Sequence, residues 1–171
     1  MPKHHTATKQ EPIEVFMPPN ILKAKVGGGT GLDPTAIRRA EQAIEELKEE
    51  FDDWLADDVE RLAVARDMFE RVKILTSFDA LYRASHDLRG QGATYDYPLV
   101  ARVASSLCTL ADAGGGNGTG IPMALIDAHV DAIKVIVRDK IKDPSDRTAT
   151  LLASELESKV LAFLEKRSAR V

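Results

Sequence analysis

An all-α fold follows from two features of this 171-residue chain. Beyond residue 32 nearly every segment repeats its apolar residues at spacings of three or four, and none sustains the alternation of a strand. The prolines and all the glycines but Gly90 and Gly92 fall outside the periodic runs, as expected of residues that open or end helices. Asp33 and Pro34 supply an N-cap and a first-turn proline, and Ile37, Ala40, Ile44, Leu47, Phe51 and Leu55 then mark a helix over about 34–55. A second helix is expected from Asp57, because Asp57 and Glu60 have the spacing of a capping box. Its buried face is Val59, Leu62, Ala65, Phe69 and Val72.

The third helix covers about 77–95, with Phe78, Leu81, Tyr82, Ser85, Leu88, Gly92 and Tyr95 on one stripe. Pro98 opens a fourth, which carries Val100, Val103, Ala104, Leu107 and Leu110 and stops in the loop from Gly114 to Gly120. A fifth over about 122–141 presents Met123, Leu125, Ile126, Val130, Ile133, Val137 and Ile141. Pro144 and Ser145 precede a last helix over about 146–167, with Leu152, Leu156, Val160 and Phe163 inward. Long helices with mostly short connections favour an antiparallel four-helix bundle over about 57–141, with an additional helix on each side. Residues 1–32 form a mostly irregular N-terminal leader, rich in Pro, Lys and Gly, and 33–171 a single helical domain. Within the leader Ile13, Val15, Phe16, Met17, Ile21 and Leu22 flank Pro18 and Pro19, and their apolar character suits docking on the body or, as the alternative, on a partner.

Composition bounds the function. With 44% hydrophobic and 29% charged residues the chain is an ordinary globular sequence, and its length suits one core rather than a kinase catalytic domain plus a second module. The net charge of −4 gives no reason to expect nucleic acid. Cys108 is the single cysteine, so there is no disulfide and no thiolate zinc cluster, as in a reducing compartment. No apolar run approaches the roughly 20 residues that span a bilayer, and the first residues lack the apolar segment of a signal peptide. A cytoplasmic protein with no membrane partner is the expectation. Between Glu41 and Glu60, ten acidic residues (Glu41, Glu45, Glu46, Glu49, Glu50, Asp52, Asp53, Asp57, Asp58 and Glu60) accompany one lysine, Lys48, and read as a solvated helix face.

The chemistry concentrates in Ser85-His86-Asp87-Leu88-Arg89-Gly90-Gln91-Gly92-Ala93-Thr94, which places two glycines inside a helix. Each costs on the order of 1 kcal/mol relative to alanine, so something should compensate. With Ser85 at the centre of the apolar stripe, His86 lies at about +100°, Gly90 near +140° and Ala93 near +80°, with Arg89 about 60° from His86. An imidazole is thus displayed at the edge of solvent with small residues beyond it and a guanidinium alongside. A neutral imidazole can attack phosphorus, and the cation would hydrogen-bond the transferred phosphoryl oxygens.

His86, Leu88, Arg89 and Gly90 resemble the signature of histidine phosphotransfer (HPt) domains, in which the phosphoryl-accepting His is followed at the third position by Lys or Arg and at the fourth by Gly. The likeness extends to the bundle order, because the motif sits on the second helix of the stretch from Asp57 to about Ile141, half of the chain. The resemblance implies that His86 is the phosphoacceptor, that Arg89 supports the phosphoryl group and that Gly90 gives clearance to a partner. Tyr82, Gln91 and Ala93 would contact a response-regulator receiver domain. Arg89 in place of the commoner Lys keeps the charge and changes the hydrogen-bond geometry. The implied function is a phosphorelay intermediate of a two-component system, which takes a phosphoryl group from a receiver aspartyl phosphate and passes it to another receiver. A hybrid histidine kinase is among the implied partners, and Mg²⁺ is expected on the receiver, with no cofactor or metal bound by this chain.

His86 to Arg89 also fit the phosphoacceptor box of sensor histidine kinases, but Gly90 and Gln91 stand where that family has Thr-Pro or Asn-Pro, and nothing downstream resembles an ATP-binding module. The alternative from another class is a non-catalytic helical adaptor or dimerisation module derived from an HPt-like bundle, in which the additional helices offer a homodimer seam. Other candidates are weaker. The runs Gly27 to Gly31 and Gly114 to Gly120 lack the spacing of a phosphate-binding loop and read as connectors. His129 with Asp127 and Asp131 is a poor ligand set and reads as structural or solvent-facing. His4 and His5 belong to the leader, Cys108 to a core face, and Trp54 to packing of the first helix.

Overall fold

A computed structural model describes residues 33–115 and 117–169, the side chain of Glu49 excepted. The leader readings, His4, His5 and the run Gly27 to Gly31 included, therefore lie outside the described residues. These residues form five helices and no strand: α1 Pro34–Val72, α2 Leu75–Thr94, α3 Pro98–Asp112, α4 Met123–Arg138 and α5 Arg147–Ser168. From Glu41 onward they belong to one compact unit. Among them no helix is long and apolar enough to cross a membrane.

The two helices expected over 34–55 and from Asp57 are one continuous α1. Asp57 and Glu60 mimic a cap, but no glycine or proline interrupts this stretch, and the apolar stripe does not stop. Ile37, Ala40, Ile44, Leu47 and Phe51 are followed by Leu55, Val59, Leu62, Ala65 and Phe69, so steps of three and four run through the expected break, with consecutive steps of four at Phe51, Leu55 and Val59. What changes is burial. Leu55, Val59, Leu62, Ala65 and Phe69 are in the core, whereas every described side chain from Pro34 to Glu50 is exposed. Val72, expected inward, is exposed at the helix end. Asp33 caps the first turn by accepting from Thr35 N at 2.9 Å.

The acidic face is only partly solvated. Asp52 accepts from Tyr97 Oη at 3.0 Å and pairs with Lys142 at 2.9 Å and Lys140 at 3.0 Å. Lys142 foremost holds its carboxyl at about 2, against the cost of burial. Asp58 is buried and paired with Arg61. Farther along α1, Arg66 meets Asp127 of α4 at 2.6 Å and Glu70 at 2.7 Å. Stacking of Phe69 on Phe78, 5.3 Å between centroids, joins α1 to α2.

α2 begins where Ser77 Oγ accepts from Ile74 N at 3.2 Å and donates to Ile74 O at 2.9 Å. It ends at Tyr95, and Asp96 turns the chain with a φ of 68° so that Tyr97 N reaches Gly92 O at 2.7 Å. Pro98 then starts α3 as its sequence predicts. Gly92 explains one of the two helix glycines: a Cβ there would lie 2.9 Å from Ala101 N, so its absence lets α3 approach α2. Gly118, with φ 71°, packs on the Phe69 and Phe78 rings, 2.6 Å from where its Cβ would be. The loop after α3 is therefore a fitted part of the core and not a plain connector. Asp146 caps α5 by accepting from Ala149 N at 2.8 Å. The buried face of α5 is Ala149, Ala153, Leu156 and Val160, with Leu152 turned outward, because the alanines let it sit close to its neighbours. Arg102 of α3 clamps Glu157 of α5 through two hydrogen bonds of 2.7 and 2.6 Å, which holds that carboxyl below its usual range.

Candidate functional site

The rotation of α2 is set by its buried residues. Ser77, Phe78, Leu81, Ser85, Leu88 and Gly92 all face the core, and Ser85 Oγ satisfies itself by donating to Leu81 O at 2.8 Å. One residue beyond Ser85, about 100° around the helix, His86 is exposed. Its ring stands beside Tyr82, one turn back, with 6.3 Å between centroids and 36° between planes. The half-buried Tyr82 lines a groove of about 430 Å³ between α2 and α3, together with Leu75, Phe78, Asp79, Ala111 and Asp112. Asp112 is the main reason the Tyr82 phenol is pushed up, with a smaller contribution from burial, while the Arg89 guanidinium opposes it. The same guanidinium acts on Cys108, whose thiol burial pushes up. Arg89 is thus exposed on the side of α2 that faces α3, as are Tyr82 and the groove.

Gly90 is exposed, and a Cβ built on it would meet nothing within 4 Å. Unlike Gly92, it is not required by any close approach among the described residues. Ala93, two turns on from His86, is exposed as well. The arrangement thus consists of an accessible imidazole on a helix whose opposite face is locked, a guanidinium on its α3 side, and open space one turn beyond. Gln91 stands apart. It lies five residues past His86, about 140° around the helix, and its Oε1 is buried without a hydrogen-bond partner among the described residues. Asp79 and Asp112 beside Tyr82 were not singled out from sequence; Asp112 ends another helix and no local pattern relates it to His86.

The remaining candidates sort by burial. His129 is fully buried, with Nδ1 2.7 Å from Leu125 O and Nε2 3.0 Å from Ser106 Oγ, and burial lowers its pKa. It is a structural histidine, not a solvent-facing one. Cys108 is buried on α3. Trp54 is partly exposed and packs against Phe51 in a tilted contact at 5.7 Å and edge-on against Tyr95 at 6.2 Å. No group of three potential metal ligands occurs among the described residues. Comparison with protein-family models, with curated proteins and with solved structures finds no match.

Proposed function

We propose that this chain is a histidine phosphotransfer protein that carries a phosphoryl group between receiver domains in the cytoplasm. In this reading the second half of α1, with α2, α3 and α4, is the antiparallel four-helix bundle of such proteins, and His86 is the phosphoacceptor. The observation that carries it is the exposed His86 imidazole next to the unfilled space at Gly90, on a helix rotated by its own core contacts. The unprotonated ring nitrogen forms the N–P bond as the P–O bond to the receiver's aspartate breaks, and the carboxylate leaves with the electron pair. The other ring nitrogen keeps its proton. Arg89 offers hydrogen bonds to the phosphoryl oxygens as the group passes. Mg²⁺ belongs to the receiver, and Tyr82 and Ala93 flank the imidazole where that receiver would settle.

Incubation with a phosphorylated receiver tests this reading. Acid-labile phosphate and the matching mass shift are expected on the wild type and absent on His86→Gln; equal labelling of both refutes the assignment. A helical adaptor without phosphoryl transfer has one observation in its favour: Ile44, Leu47 and Trp54 form an exposed apolar stripe on α1 that a relay does not need. Receiver binding without movement of phosphate would favour it.

A further inference from the structure

We infer that the first half of α1 is a self-association element, which pairs with the same segment of a second copy as an antiparallel two-helix coil. This inference is independent of the phosphotransfer reading and rests on a different face of the molecule. An isolated helix of this length is marginal in water, and helices in proteins hold mainly by packing an apolar face. Among the described residues that face is open from Ile37 to Leu47, and farther along Phe51 and Trp54 share it with Tyr95, 5.1 and 6.2 Å from their rings. Ile44 is 53% exposed, Leu47 44% and Trp54 40%, with Phe51 half-buried beside them.

The spacing identifies the occupant. Residues 37, 40, 44, 47, 51 and 54 are Ile, Ala, Ile, Leu, Phe and Trp, alternate steps of three and four that make a and d positions of successive heptads. A 3.5-residue period is the signature of a helix that meets another helix along its length, and a second copy has the matching seam. The outer positions are polar: Arg38, Arg39, Gln42, Glu45, Glu46 and Asp53.

Charge and size then choose the direction. In an antiparallel pair with Ile44 opposite Leu47 of the second copy, Ala40 faces Phe51 and Ile37 faces Trp54, so small or aliphatic residues oppose aromatic ones. The flanking e positions bring Glu41 against Lys48 of the second copy, twice by symmetry. Lys48 is exposed; among the described residues its ion pair is with Glu45, an exposed neighbour 2.9 Å away, and Asp96 adds a weaker attraction, so exchange to a new carboxylate costs little. A parallel pair would instead stack Trp54 on Trp54 and Ala40 on Ala40, and would bring no opposite charges together. With fewer than three heptads the association should be weak and readily reversible.

Sedimentation velocity of the full chain between ~1 µM and ~1 mM tests the inference, because micromolar to millimolar affinities are read in that range. A dimer is expected to grow in with concentration. Leu47→Glu should leave a monomer throughout, with the urea unfolding of the core unchanged because the site is outside it and any loss of helical circular dichroism confined to the first turns of α1. Lys48→Glu should weaken the dimer by roughly tenfold, about 1.4 kcal/mol, and Glu41→Lys with Lys48→Glu should restore it. A wild-type monomer at ~1 mM, a dimer that survives Leu47→Glu, or charge reversals that fail to compensate would each overturn it. None of these readouts depends on phosphate, so failure here leaves the labelling test at His86 untouched.

Discussion

His86 and His129 are the same side chain in opposite surroundings. On α4, His129 is fully buried and both ring nitrogens are engaged. A carbonyl oxygen only accepts, so Nδ1 carries the proton and donates to Leu125 O, and the Ser106 hydroxyl donates to Nε2. On α2, His86 is open to solvent. The glycines of α2 repeat the contrast: Gly92 is demanded by Ala101, whereas among the described residues nothing outside its own stretch of helix approaches Gly90. One histidine and one glycine are thus accounted for by packing. The other two are not: Gly90 carries a helix penalty of about 1 kcal/mol that no contact among the described residues offsets, and the proposed receiver contact would account for it.

The sharpest way to break that contrast is to exchange effects between the histidines. His86→Gln should abolish labelling by a phosphorylated receiver, a loss of at least ~100-fold, while urea unfolding stays within about 0.5 kcal/mol of wild type, as for a surface site. His129→Ala should do the reverse. It leaves a cavity and an unpaired Ser106, costs about 2–4 kcal/mol in the same titration, and keeps labelling wherever the protein is folded. A large stability loss at His86, or none at His129, would remove the distinction.

Gly92→Ala comes next. Its Cβ would press on the backbone nitrogen of Ala101, which cannot swing aside as a side chain can. A loss of about 1–3 kcal/mol in urea unfolding is expected from this overpacking. Acid should expose His129 in a gentler way. Its pKa is lowered in the fold by burial, so the unfolded chain binds the proton more tightly and stability falls as pH drops below the ordinary value of 6.5. The decline amounts to at most ~1.4 kcal/mol per pH unit and continues until the folded pKa is reached. His129→Gln removes this component, so between pH 7.5 and 5.5 the variant should lose less stability than wild type.

How much of this was open to the sequence depended on the range of the interactions. The exposure of His86, Gly90 and Ala93 is a matter of helix rotation, which the stripe Phe78, Leu81, Ser85, Leu88 already determines. The pairing of His129 with Ser106 joins two helices, and that of Asp52 with Lys140 and Lys142 spans most of the chain, so neither leaves a local pattern. The false break before Asp57 has a different origin. A short cap-like spacing was outweighed by an apolar stripe that runs unbroken through it, and tertiary burial from Leu55 onward holds the helix together. The same stripe, unburied before Phe51, is the part of α1 whose role no contact among the described residues supplies.

Gly90→Ala has the smallest expected effect on stability and the most specific meaning. Among the described residues no atom outside the local helix lies within 4 Å of the added methyl group, and the residue is in the interior of α2, so alanine should stabilise the fold by about 0.5–1 kcal/mol through helix propensity alone. If a receiver closes over the His86 ring, the same methyl group enters the space that the receiver needs, and phosphoryl acceptance should slow while the unfolding midpoint rises. Gain of stability with loss of transfer rate, measured on one variant, separates an outward role for this glycine from a structural one. A variant that is both more stable and fully active would show that the open space beyond His86 serves no partner.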